Sequence, residues 1–328
     1  MGASAAALVL VAVLSLGVGP AWLSPGEVVR TLLGGGDEVS RAIVLQIRLP
    51  RIALGMLVGG ALGVSGAAMQ GLFRNPMADP YVVGVSPGAA LGAVLAIASG
   101  ASFGAAGLSA VPPAAFCGGL AAAFAVVGLS RRGGRFPIAD LLLVGLAVGA
   151  FAAAVYSFVI LTFADQRISS VLFWLLGSLA PADWRRVVDA LPYLVVSSVG
   201  LLALSRRLDI LSLGEEQATY LGVGVERVKL LAIGFAALGA SAAVAVSGVI
   251  GFIGLIVPHV GRILAGPRHA LLLPVSGLWG AAFLVAADDA ARTAIPAIEI
   301  PVGIITALCG APFFVYLLSR SRRRGRLW

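Results

Sequence analysis

Of 328 residues, 59% are hydrophobic and 12% charged, against roughly 45–50% and 25% in an ordinary soluble domain, so polar side chains are too few to cover a water-facing surface. The formal charge of +8 is spread along the chain without interleaved aromatics, which argues against a nucleic-acid surface. Cys117 and Cys309 both lie in apolar stretches, suggest neither a disulfide framework nor a thiolate metal site, and read as small apolar packing residues.

Such a chain belongs in a bilayer. Runs long enough to cross about 30 Å of hydrocarbon as a helix, roughly 20 residues, recur ten times. They read as helices because lipid leaves no partner for an unpaired backbone group and the runs lack the alternation of a barrel strand. The first, 3 to 22, has no Lys or Arg ahead of it, unlike a secretory signal, and is expected to be retained as a span. The second, 50 to 72, opens with "RLPR" (Arg48 to Arg51) and contains "GGALGVSGAAMQG", whose small residues recur three or four apart on one helix face. Between it and the third, 82 to 100, stands "FRNPMADPYVVGVSPG" (Phe73 to Gly88). There Pro76 and Pro80 stop a helix from running through, while Asn75 and Asp79 can bond the freed backbone groups. A structured break is expected; a plain polar turn is the alternative.

The fourth and fifth spans cover 108 to 130 and 138 to 163, the fifth carrying Gly145 and Gly149 in "GLAVGA". A loop around 165 to 187 follows, then the sixth span, 188 to 205. "SRRLDILSLGEEQATYLGVGVERVK" is the longest polar interruption of the second half, and Gly214 and Gly222 bracket a stretch suited to one or two short exposed helices. The seventh span is 227 to 248. The eighth, 251 to 266, is short and interrupted by Pro258, so it is expected to be tilted, broken or partial. The ninth and tenth are 270 to 290 and 301 to 319.

The whole of 1–328 reads as one transmembrane domain, with a first half of about 1–164 and a second of about 188–328. Each half holds five spans, an odd number, so two halves of one fold must be inverted relative to each other. With the N-terminus inside, fifteen Lys and Arg fall on one side and eight on the other, which places both termini in the cytoplasm. No Walker loop, HExxH or GxSxG motif appears. His259 and His269 flank a break; a metal pair is conceivable there, but interfacial or helix-end packing is the simpler reading.

The segments "RLPR", "RNPMADPYVVGVSPGAALGA", "FWLLGSL", "LGEEQATYLGV", "GFIGLIVPHVGRILAG" and "EIPVGIITALCGAPFFVYLL" run in order from about residue 40 to the C-terminus. Together they resemble the FecCD family of ABC importer permeases, which includes vitamin B12, haem and ferric siderophore permeases. The resemblance implies an all-α type II permease fold of about ten spans with an inverted five-plus-five repeat, in the bacterial inner membrane. It implies a second copy of the chain, two cytoplasmic ATPase subunits that hold ATP and Mg, and a periplasmic substrate-binding protein. The permease itself would carry no cofactor, no metal and no catalytic site.

By the same resemblance Asn75, Pro76, Met77, Asp79 and Pro80 would lie near the cytoplasmic gate, and Gly145 and Gly149 would line the pathway. Gly214, Glu215, Glu216, Gln217, Ala218, Leu221 and Gly222 would form the ATPase coupling region. Arg48, Arg51 and Arg292 match the family's docking arginines, with snorkelling to lipid headgroups as the alternative. The cargo class is an iron chelate, siderophore or haem, or cobalamin. A stand-alone secondary transporter or channel is the rival function. It calls for ionisable residues at mid-membrane depth, whereas Asp140, Asp165, Asp288, Asp289 and Glu299 map near span ends.

Overall fold

Because a bilayer offers nothing to a free N–H or C=O, the apolar runs satisfy their backbone internally as helices. The computed structural model describes residues 1–100, 102–103, 108–162, 168–295 and 298–323, with side chains undescribed at 102, 103, 108, 318 and 320–323. Asp165, Arg167, Arg324 and Arg326 therefore lie outside the described residues. Helix α1 is Gly2–Gly17, and short helices α2 (Pro25–Leu32) and α3 (Glu38–Arg41) follow. Helix α3 continues through a π-helical stretch, Ala42–Arg48, into α4 (Leu49–Leu72). Then come α5 (Val85–Ser99), α6 (Val111–Leu129), α7 (Ile138–Thr162), α8 (Ile168–Leu175) and α9 (Trp184–Ala203). The chain ends with α10 (Ser205–Leu211), α11 (Glu215–Tyr220), α12 (Val225–Ser247), α13 (Ile253–Ala265), α14 (His269–Thr293) and α15 (Val302–Arg323). The described strands are two-residue segments, Ser102–Phe103 paired antiparallel with Leu108–Ser109.

Six of these helical stretches are long and apolar enough to cross a membrane, and four shorter apolar helices complete the set at the places where the sequence puts ten spans. The second span differs from its expected start at residue 50, since helix runs unbroken from Glu38. Pro50 explains the π-helical stretch before it: a proline ring clashes with the carbonyl four residues back, and wider turns relieve that clash. One loosened carbonyl, that of Leu45, accepts a hydrogen bond from the Trp184 indole at 2.9 Å.

The central helices are α4 and α12, the second and seventh spans, which are the most buried of the long ones. Their neighbours correspond under a shift of five spans. The second span packs on the eighth and ninth as the seventh packs on the third and fourth, and the eighth on the ninth as the third on the fourth. The contact of α4 with α14 is close because glycine lets backbones meet: a Cβ on Gly59 would stand 2.3 Å from the Gly280 carbonyl oxygen, and one on Gly63 2.3 Å from that of Ser276.

The third and eighth spans, α5 and α13, are the short members of their halves. Helix α5 begins deep inside, since a Cβ on Gly119, near the middle of α6, would lie 3.3 Å from the Val85 carbonyl oxygen. The irregular segments leading into the two helices touch each other. Tyr81 donates its hydroxyl to the Ile250 carbonyl at 3.0 Å, and a Cβ on Gly254 would stand 2.6 Å from Pro80 Cδ. Cys117 and Cys309, expected as packing residues, instead lie on exposed faces of α6 and α15.

Candidate functional site

On the face where α4 ends and α14 begins, α10 and α11 form a projecting hairpin. Its turn needs glycine, because Gly214 sits at φ +126° and Gly222, which closes α11, at φ +79°. One side of the hairpin is bound to the body by Lys229, which is 1% exposed within α12. Its ammonium donates to Glu215 at 2.7 Å, to Glu226 at 3.1 Å and to the Phe136 carbonyl at 3.0 Å. Glu226 in turn accepts from the Phe136 N–H at 2.7 Å, so the turn before α7 joins the same knot. Two carboxylates offset the buried charge, and three acceptors take its three protons. Ala218 also faces inward. Glu216, Gln217, Leu221 and Gly222 face outward, as do Leu213 and Tyr220, the last 84% exposed. A cleft of about 930 Å3 runs past Glu216, Tyr220 and Arg227.

Lys229 is the chain's single lysine among 23 basic residues, a signal that sequence reading missed. A compact ammonium gathers three acceptors around a single atom, whereas a guanidinium spreads its donors over a larger rigid plane. Lys229→Arg is accordingly expected to loosen α11 despite keeping the charge, read as faster amide exchange over 211–224 with the transmembrane helices unchanged. Wild-type exchange rates there would refute the pinning role.

The break after α4 is built as the sequence predicts. Asn75 accepts from the Met77 N–H at 2.9 Å and Asp79 from the Tyr81 N–H at 2.9 Å, capping a 3-10 turn over Pro80–Val83. Arg74 (φ +48°) and Gly84 (φ +78°) supply the left-handed corners. Pro76 and Met77 are half-buried, and Pro80 is buried. Gly145 and Gly149 are drawn to this segment: Cβ atoms there would stand 2.2 Å from the Val82 carbonyl oxygen and 3.3 Å from Pro87 Cγ. The face of α7 left open belongs to Leu143, Leu146, Phe151 and Phe158.

The break and the hairpin meet at the end of α4. His269, at the start of α14, is 4% exposed, and its backbone N–H and ring Nδ1 both reach Asp209 Oδ1 of α10 at 2.7 Å. A carboxylate only accepts, so Nδ1 is the donor. The opposite nitrogen, Nε2, abuts α4, and a Cβ on Gly71 would stand 2.0 Å from it. Arg74 Nη1 lies 3.7 Å from the place of a Cβ on Gly214. Hairpin, α14 and break thus share one junction.

On the opposite face Arg48, Arg51 and Arg292 are brought together but are buried, at 3%, 6% and 5% exposure. Arg51 holds Asp288 through two bonds of 2.7 and 2.9 Å and reaches Glu299 at 3.2 Å. Arg48 donates to the carbonyls of Leu16 and Ala21, and Arg292 to Ser15 and Asp289. These guanidinium groups serve contacts within the chain; exposed arginines on this face, among the described residues, include Arg30, Arg41 and Arg185. A cleft of about 410 Å3 opens beside Arg292 and Glu299.

Residues 7–320 match the FecCD transport family. The cobalamin import system permease protein of Halobacterium salinarum is 51% identical over 284 residues, spanning 87% of this chain and 75% of that protein. The hemin transport system permease protein of Yersinia pestis is 42% identical over 291 residues, 86% of this chain and 84% of its own. Among solved structures, a metal-chelate-type ABC transporter described in an inward-facing conformation superposes with a TM-score of 0.85 at 34% identity, covering 97% of this chain and 98% of that one.

Proposed function

The chain belongs to the FecCD transport family, and from that premise we propose that it is the permease subunit of an ATP-driven importer that carries an iron chelate, siderophore or haem, or cobalamin into the cytoplasm. The observation that carries the mechanism is the lysine-pinned hairpin α10–α11. One side is fixed to α12 and the turn before α7, while the other presents Leu213, Tyr220 and Leu221 to a partner. That partner is a cytoplasmic ATPase subunit, one for each of two permease copies, holding the nucleotide and Mg. Movement of the hairpin then reaches the break at 73–84 through Asp209, His269 and the end of α4.

The second copy packs on the open apolar faces of α7 and α15. Both termini are cytoplasmic and the membrane is the bacterial inner membrane, following the distribution of basic residues. A periplasmic binding protein docks on the α2 face, where its carboxylates meet exposed Arg30 and Arg41, with Arg48, Arg51 and Arg292 holding the surface beneath. Relatives named for cobalamin and for hemin are 51% and 42% identical to this chain over most of its length, which supports a reading in which cargo choice rests with the binding protein. The stand-alone transporter reading is disfavoured because Asp288 and Asp289 are engaged by Arg51 and Arg292, which leaves neither as a free carboxylate for a coupling ion.

The test is replacement of Glu215 to Gly222 by a flexible Gly and Ser loop. Insertion and dimerisation are expected to persist while ATPase co-purification and ATP-driven uptake are lost. Retained ATP-driven uptake would overturn the assignment.

A further inference from the structure

Away from the junction and the buried arginines, a cleft of about 450 Å3 opens between the starts of α6 and α9 and the end of α12, at the ends of these helices away from the hairpin, which the topology proposed above makes the outer face. Its rim is charged and its wall aromatic. Asp183, Arg185, Arg186 and Asp189 come from the start of α9; Phe116 and Tyr193 form the wall, with ring centroids 4.9 Å apart. The distance from Arg186 to Tyr193 along α9 is two helical turns, about 10 Å, enough to run from the headgroup region into the upper acyl zone.

The rim is electrically balanced, two guanidinium groups against two carboxylates. A purely anionic head would satisfy the arginines and be repelled by the aspartates. Arg186 has no side-chain partner among the described residues, its N–H alone bonding Asp183, which caps α9. Arg185 and Asp189 stand 3.8 Å apart, wider than the 2.7–2.9 Å of a charge-assisted bond, and are 63% and 67% exposed. An open cation and a loose pair suit a ligand that carries both signs.

We propose that this cleft binds a phosphoethanolamine lipid of the outer leaflet, its phosphate on Arg185 and Arg186, its primary ammonium on Asp189, and its glycerol and upper acyl chain along Phe116 and Tyr193. The primary amine matters because it can donate hydrogen bonds to a carboxylate, whereas a quaternary choline cannot. Tyr193, an aromatic side chain with one polar end, suits this depth of a bilayer, and Phe116 beside it offers the chain an apolar wall.

Native mass spectrometry of the delipidated full-length chain in detergent tests this, titrating phosphatidylethanolamine, phosphatidylcholine and phosphatidylglycerol of equal chain length. The wild type is expected to retain the ethanolamine lipid best. Arg186→Gln should weaken it about tenfold, the size of one charge-assisted hydrogen bond lost. Asp189→Asn should remove the preference over the choline lipid and improve binding of the glycerol lipid. Asp189 is exposed and Arg186 half-buried at the rim, and unchanged melting in detergent will show that the variants fold. Equal retention of the three lipids by the wild type, or variants that bind as it does, would overturn the proposal. Displacement by soluble glycerophosphoethanolamine at matching concentration would reassign the cleft to a water-soluble amine phosphate and sink the lipid reading.

Discussion

Arg51→Ala should destabilise the protein by about 3–5 kcal/mol, more than any surface arginine, because it leaves Asp288 buried with its principal cation gone. Asp288 is 4% exposed and takes two of the Arg51 bonds, while Glu299 at the rim can turn to water. The pair joins the second span to the ninth, so the loss should appear as a lower melting temperature in detergent and reduced expression. Replacing both partners, Arg51→Met with Asp288→Leu, should recover most of the stability, since an apolar pair removes the uncompensated charge. A binding-protein assay separates this from direct docking. If Arg51→Ala melts as wild type but no longer captures the binding protein, Arg51 is a docking group and not a clamp.

Breaking the Asp209–His269 contact should uncouple hydrolysis from transport. Allosteric couplings are typically 1–3 kcal/mol, or 5–150-fold, so His269→Ala should lower uptake per ATP by roughly tenfold with ATPase binding retained. His269→Asn keeps a donor close to the Nδ1 position and is expected to recover much of the coupling. Gly71→Ala should mimic the defect from the other side, because its Cβ collides with the ring, and adding His269→Asn should relieve it. A junction that only holds the fold would instead lower melting temperature and expression in step with uptake, at unchanged uptake per ATP. The same ratio in His269→Ala as in wild type would remove His269 from the coupling route.

Much of the architecture was legible beforehand because lipid makes hydrophobic length an almost sufficient code for a span. The break at 73–84 was legible for a related reason: Pro76 and Pro80, four residues apart, each remove a backbone donor, while Asn75 and Asp79 supply the local caps. The short eighth span is legible from its apolar run of 251 to 266, but the interruption expected at Pro258 is not there, since α13 runs through it from Ile253 to Ala265. The early start of the second span was not, since Arg41, Gln46 and Arg48 mark a water-facing segment unless their partners are known.

Contacts far apart in sequence escaped the reading altogether. The family resemblance and the side of the membrane assign Arg48, Arg51 and Arg292 to docking, but a guanidinium's direction depends on carbonyls and carboxylates near residues 15 to 21 and 288 to 299. The resemblance assigns Gly145 and Gly149 to the pathway, and only the packed structure shows that they are the points at which α7 approaches 82–87. By itself the sequence determined a ten-span helical membrane domain, its helix break and its exposed hairpin, because these follow from local hydrophobicity, proline and glycine. The tertiary structure alone decided which charges are spent internally and that hairpin and break share one junction, because a buried ion pair or a glycine contact exists only once helices distant in sequence have packed.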